Sequence, residues 1–223
     1  MASLESGGIN SYQKISGTLG GLTASLPSSY DNFGWASRGV ELNGDSITDL
    51  LVGAIYSDDG GFDNGAVYLI FLEDTGLVSS SQKISQTSGY LTANLHTEFG
   101  SACDDMGDVN ADTMIDLAVG CRDDDTGAVD TGAFFLLFLD TNYMVLSHLK
   151  FASLTSGFTA SLTSYDLFGS SLANMRGDLN NDGIIDFVVG APGDDDGGDY
   201  QGAVYVFFMN NVFGDIFLSF IFS

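Results

Sequence analysis

The sequence holds little of what the commonest site chemistries require. Its 223 residues include two cysteines, two histidines and one tryptophan. Cys103 and Cys121 support neither a disulfide framework nor a metal knuckle, and they leave the redox compartment open. Basic residues are also scarce: 6 against 30 acidic ones, for a formal net charge of −24. That excludes nucleic-acid binding through a basic surface, because phosphate contacts need Lys and Arg. It also disfavours docking on anionic lipid. The C-terminal apolar run, Ile216 to Phe222, is interrupted by Ser219. A spanning helix needs about 20 residues, so no membrane insertion is expected. The N-terminal stretch MASLESGGINSYQ lacks the basic and apolar regions of a secretory signal. No GxSxG elbow or GxxxxGK[ST] phosphate loop occurs. His96 and His148 have no repeated counterparts and no spaced carboxylate or cysteine partner. They read as surface or strand histidines, and the chain does not read as an enzyme.

What is present is apolar material and glycine. Hydrophobic residues make up 44% and aromatics 12%, with 29 Gly against 2 Pro. An acidic disordered tail would lack that core material. Many tight turns with hardly any proline fit an all-β chain. Self-comparison then decides the organisation. FGWASRGVELNGDSITDLLVGA from Phe33 recurs as FGSACDDMGDVNADTMIDLAVGC from Phe99. It recurs again as FGSSLANMRGDLNNDGIIDFVVGA from Phe168. Downstream follow GAVYLIFL from Gly65, GAFFLLFL from Gly132 and GAVYVFFM from Gly202. QKIS at Gln13 and Gln82, and the weaker LKFA at Leu149, precede LTASL, LTANL and FTASL.

Each copy reads as four short strands, A to D, separated by turn residues, with no competing helical period. Repeated four-stranded antiparallel units suggest β-propeller blades. The repeats span residues 17–85, 86–152 and 153–209, after the end of a preceding repeat (1–16) and before a divergent tail (210–223). LESGGINSYQKIS from Leu4 matches LEDTGLVSSSQKIS from Leu72, so the chain starts inside a repeat. Propellers close with about four to eight blades. The expectation is therefore a fragment of a longer array. Lys14, Lys83 and Lys150 all fall in strand D, where a lysine on an outer edge would discourage edge-to-edge pairing. Phe33, Trp35, Phe99 and Phe168 are expected to anchor the packing between blades.

The acid is localised. Of the 30 acidic residues 26 are Asp, and 20 of the 30 sit in the A–B turns or the B–C loops. In the third A–B turn Asp178, Asn180, Asp182 and Asp186 place side-chain oxygens at positions 1, 3, 5 and 9, with Gly183 at 6. Alternate oxygens around a sharp turn follow the first half of the EF-hand loop, with the closing acid three places early. Carboxylates so close repel, and a hard divalent cation removes the repulsion. With a backbone carbonyl at position 7 (Ile184), the donor set suits Ca²⁺ and not zinc or copper. The second turn offers Asp108, Asn110, Asp112, Met114 and Asp116, with Thr113 in the glycine place. The first offers Glu41, Asn43, Asp45, Ile47 and Asp49, with Ser46 there. A non-glycine residue at that place is strained if φ is positive. The expected order of affinity is third, second, first. A bare Asx turn would use the same residue types, but three in the same place favour the ion. The B–C loops SDDGGFDN, RDDDTGAVDT and GDDDGGDYQ fall on the opposite face. They read either as a second cation or basic-partner site, or as solvated hairpin ends.

The order FG, then GDLNNDGIIDFVVGAP, then GAVYVFF resembles the FG-GAP repeat of integrin α-subunit propellers, over about residues 4 to 209. The resemblance implies a calcium ion in the A–B turn, carried fully by the third turn and nearly so by the second. The first departs at Glu41 and Ser46, and Ile55 and Arg122 stand where the motif has proline. It further implies an extracellular or cell-surface setting and adhesion or recognition of a protein or glycan ligand, supported by neighbouring repeats. A non-catalytic accessory propeller of a secreted enzyme, or a purely architectural surface array, are the alternatives.

Overall fold

The computed structural model describes residues 11–22, 26, 30–95 and 98–209. A strand covered on both faces is apolar throughout, while one with an open face alternates. Both kinds occur here. DLLVGA forms β2 (Asp49–Ala54) and AVYLIFL forms β3 (Ala66–Leu72), both almost wholly buried. They are flanked by β1 (Phe33–Val40) and the half-exposed β4 (Val78–Ile84) in an antiparallel sheet of order β1-β2-β3-β4. The second copy repeats it with β5 (Phe99–Gly107), β6 (Asp116–Cys121), β7 (Ala133–Leu139) and β8 (Val145–Phe151). The third gives β9 (Ser171–Asn174), β10 (Phe187–Ala191) and β11 (Ala203–Phe207), three strands among the described residues. The chain is thus all-β, and its three sheets are propeller blades that do not close into a ring. The divergent tail and most of the segment before residue 17 lie outside the described residues.

The conserved spelling of each copy follows from how blades meet. Phe99 lies beside Gly65 in a parallel bridge, and Phe168 beside Gly132 in another. The amide of Phe99 donates to the Asn64 carbonyl at 3.1 Å, and that of Phe168 to Thr131 at 2.9 Å. Main chain therefore touches main chain. A Cβ on Gly53 would stand 2.0 Å from the Gly100 carbonyl oxygen, and one on Gly120 2.1 Å from that of Gly169. Only glycine permits such an approach. A bulge where β1 meets β2, and β5 meets β6, lets the Phe-Gly end leave its own sheet and lean on the preceding one.

Side chains fill the rest of each junction. Leu51, Leu69, Phe99, Leu117 and Phe135 belong to the core between the first two blades, closed from below by Leu91, Ala93 and Leu95 of the LTANL segment. Phe134, Leu136, Phe168, Phe187 and Val189 form the core between the second and third. The first strands are joined by charge. Arg38 of β1 pairs with Asp104 of β5 at 2.7 Å, and Arg176 with Asp105 at 2.9 Å. The Asn174 amide of β9 donates to Asp104 at 2.9 Å.

Of the expected anchors, Phe99 and Phe168 are fully buried. Phe33 is half-buried, edge-on to Tyr68 at 5.3 Å. Trp35 is not an anchor: 48% of it is exposed, and the Arg122 guanidinium lies 5.2 Å from its ring. The bulge turns it outward, toward the cation of the neighbouring loop. Cys103 and Cys121 are buried free thiols. Burial raises both thiol pKa values, that of Cys103 to about 12. His148 is half-buried against Phe135, and burial lowers its pKa. His96 lies outside the described residues.

The junction glycines give a direct test. Gly120→Ala should cost about 2–3 kcal/mol in urea unfolding, as overpacking against rigid main chain does. Gly177→Ala, whose Cβ would come no nearer than 3.8 Å to another atom, should be close to neutral.

Candidate functional site

The three A–B turns share one construction. Each closing aspartate is fully buried. Asp186 accepts from the Leu179 amide at 2.7 Å and from the Met209 amide at 3.2 Å. Asp49 accepts from Leu42 at 3.3 Å and from Leu72 at 2.9 Å. Position 9 thus ties its turn to the far end of the third strand. Asp116 departs from this. One oxygen accepts from Val109 at 2.9 Å, while the other is buried with no hydrogen-bond donor.

The remaining oxygens face the turn's own amides. Asp178 accepts from Asp182 at 3.1 Å and from Gly183 at 2.6 Å, and Asp182 accepts from Ile184 at 2.9 Å. Asn180 Nδ2 donates to Asp182 at 2.9 Å. The second turn repeats each bond: Asp108 accepts from Asp112 and Thr113, Asp112 from Met114, and Asn110 donates to Asp112. In the first, Glu41 reaches Asn43 and Gly44, while Asp45 accepts from Ile47 and from Asn43 Nδ2. These are Asx-type turns. Among the described residues no group of three His, Cys, Asp or Glu side chains converges as a metal cluster. The donor set is nonetheless all hard oxygen, and the lone oxygen of Asp116 marks where charge is least compensated.

The glycine place behaves as its sequence requires. Ser46, Thr113 and Gly183 have φ of 68°, 76° and 91°. Position 4 is left-handed too, at Gly44, Ala111 and Asn181, with φ of 80°, 61° and 61°. That second constraint was legible only in part, since Asn and Gly tolerate it and Ala does not advertise it. The second turn therefore carries two strained residues.

The FG-GAP repeat family matches residues 19–71 and 168–207. The chain is built of FG-GAP repeats. It is 31% identical to phosphatidylinositol-glycan-specific phospholipase D of Bos taurus, over 80% of this chain and 21% of that protein. The Homo sapiens protein of that name is 30% identical over 89% of this chain and 23% of its own length. Integrin alpha-2 of Bos taurus is 33% identical over 72% of this chain and 13% of its own. The chain thus spans about a fifth of the phospholipase relatives and about an eighth of that integrin. Among the described residues no helix is long and apolar enough to cross a membrane.

The B–C loops of these FG-GAP blades turn out to be braced from within. Lys83 of β4 reaches back to Ser57 and Asp59, both at 3.0 Å, passing 5.6 Å from the Tyr68 ring centroid. Lys150 of β8 reaches the fully buried Asp124 at 2.6 Å and Thr126 at 2.8 Å, over Phe135. Lys83 and Lys150 are therefore not free edge charges, while Lys14 is exposed and lies in no strand. The stems of Lys83 and Lys150 lie on the sheet and their ammonium groups hold the loop below. In the third blade the matching Asp194 is 5% exposed and accepts from the Tyr205 hydroxyl at 3.0 Å. Arg122, which stands in the proline place of the second copy, pairs with Glu98 and lies 3.4 Å from Asp123.

Two outcomes follow for measurement. Lys150→Met should cost about 3 kcal/mol in urea unfolding, because it leaves Asp124 buried without its cation. Lys83→Met should cost less, since Asp59 is partly open to water. Burial, with Asp112 and Asp108 nearby, pushes the Asp116 carboxyl up to about 7. The neutral form is favoured by folding. Its contribution is full below the unfolded value of about 3.9 and is lost as pH rises through about 7. In chelator, Asp116→Asn should match the wild-type melting temperature near the acid end and exceed it above neutrality.

Proposed function

We propose that this chain is a calcium-stabilised segment of an extracellular propeller that serves recognition or adhesion, without catalysis of its own. The observation that carries the reading is the threefold A–B turn, with oxygen-bearing side chains at the same four places and a buried aspartate closing each. Asp178, Asn180, Asp182, the Ile184 carbonyl and Asp186 would hold an ion in the third blade. Asp108, Asn110, Asp112, Met114 and Asp116 would do so in the second, and Glu41, Asn43, Asp45, Ile47 and Asp49 in the first. Loop carboxylates would exchange amide partners for the cation, which supplies the positive charge that adjacent aspartates lack. Bound calcium then stabilises the native turn by mass action. The third site, with glycine at position 6, is the tightest. The integrin likeness supports a protein or glycan ligand on the propeller.

A second reading has its own support. Identity to phosphatidylinositol-glycan-specific phospholipase D extends over 80–89% of this chain. The segment then serves as the accessory propeller of a larger enzyme, and a catalytic domain in the same reading frame would decide for it.

Thermal melts test the calcium reading. Millimolar calcium should raise the midpoint by several degrees over chelator, since saturation at about 100 times Kd contributes about 2.7 kcal/mol. Asp182→Ala should remove most of the third site's titration heat, and Thr113→Gly should tighten the second. Equal midpoints with and without calcium would end the reading.

A further inference from the structure

The asparagine at position 3 of the A–B turns makes the same bonds in three settings. Asn43, Asn110 and Asn180 each donate from Nδ2 to the aspartate two places on, all at 2.9 Å. Each side-chain oxygen in turn accepts from the main-chain amide of that aspartate, at 3.0, 3.0 and 3.1 Å. The residue that follows differs: Gly44 in the first turn, Ala111 in the second and Asn181 in the third. So does the reach of the acid at position 1. Asp108 and Asp178 accept from the amides of positions 5 and 6. Glu41, one methylene longer, accepts instead from the Asn43 amide at 3.2 Å and the Gly44 amide at 2.7 Å. The two departures of the first turn, a longer acid and a glycine, therefore meet on one atom, the Gly44 nitrogen.

That nitrogen follows directly on a side-chain amide that it can attack. Ring closure by a main-chain nitrogen onto the Cγ of the preceding asparagine is easiest where its own residue has no Cβ in the way. Asn43 and Gly44 are exposed, and nothing lies within 4 Å of the Gly44 Cβ position. The Glu41 carboxylate sits on the proton that the nitrogen must lose, which is the place of a general base. The Asp45 amide sits on Asn43 Oδ1, where negative charge develops on attack. The chain's other Asn-Gly pair, Asn64-Gly65, is held fast. Gly65 is buried and its amide donates to the Ser57 carbonyl at 2.9 Å, while the Asn64 carbonyl accepts from Phe99 across the blade junction at 3.1 Å. Asn64 Nδ2 donates to Gln86.

We propose that Asn43-Gly44 is a self-modification site, at which the chain loses the Asn43 side-chain amide without an enzyme. The Gly44 nitrogen bonds to Asn43 Cγ and gives its proton to Glu41. The Cγ–Nδ2 bond breaks, and Nδ2 takes that proton and leaves as ammonia. Water then opens the cyclic imide, with no change of oxidation state. Opening at Cγ leaves aspartate. Opening at the main-chain carbonyl leaves isoaspartate, whose main chain runs through Cβ and Cγ. Either product places a further carboxylate beside Glu41 and Asp45 and removes the Nδ2 bond to Asp45, so the first turn is the one that changes with age. The reaction needs no metal and is read by mass, so it stands or falls apart from calcium binding.

Peptide mapping by mass spectrometry of the full chain, aged for days in neutral buffer with chelator, tests it. The amide-to-acid mass change should appear at Asn43, with isoaspartate registered by enzymatic methylation. Asn64 should react at least about tenfold more slowly, because it must wait for the blade junction to open and each opening cost of about 1.4 kcal/mol is a factor of ten. Asn110 and Asn180 should lag likewise, since no glycine follows them. In the chain unfolded in urea the two Asn-Gly pairs should converge. Gly44→Ala, at a place where Ala111 already holds a φ of 61°, should stop the reaction at Asn43 with the β-sheet circular dichroism kept. Glu41→Gln should slow it by about tenfold or more. Equal rates at Asn43 and Asn64 in the folded chain overturn the proposal. So does an Asn43 that stays intact while the unfolded chain reacts, or a Glu41→Gln chain that ages at the wild-type rate.

Discussion

Main-chain contact between successive blades is the constraint from which the rest of this molecule follows. Two sheets normally pack through their side chains about 10 Å apart. Here the Phe-Gly end of one sheet lies directly against the glycines of the one before it. That contact sets the spacing of the blades, and the larger side chains then fill the wedge that opens away from it. It also explains why phenylalanine accompanies glycine. The glycine permits the approach, and Phe99 or Phe168 fills the space immediately beside it.

The acidic excess looks like a problem of solvation in the sequence and is largely a device of construction in the structure. Asp104 and Asp105 hold the first strands of all three blades together through Arg38, Asn174 and Arg176. Asp59 and Asp124 hold their B–C loops to lysines of the outer strand. Asp49 and Asp186 tie the first and third A–B turns to the end of the third strand. With so few basic residues in the chain, main-chain amides do much of the compensation. Among the described residues none of the nine acidic residues of the A–B turns forms an ion pair, so main-chain amides serve there alone.

Much of this was readable beforehand. Strand order, blade number and the place of the A–B turns follow from a repeat that keeps its period and its turn residues. The strain at Thr113 and Ser46 was visible because their counterpart is Gly183. Other features left no such mark. Asp104 and Asp105 belong to one copy alone, so repetition could not single them out. Trp35 looked like a core aromatic because position in a strand does not tell which way a bulge turns it. Lys83 and Lys150 looked like edge guards because the sequence shows where a side chain starts and not where a long flexible one ends.

The sequence by itself determined the fold, because local periodicity, glycine positions and turn chemistry are short-range properties repeated three times. It also determined the residue types available to the A–B turns. Only the tertiary structure decided which carboxylates meet a cation of the protein and which meet an amide. Those outcomes depend on contacts between residues up to 71 positions apart, as Arg176 and Asp105 are. No local pattern encodes such distances.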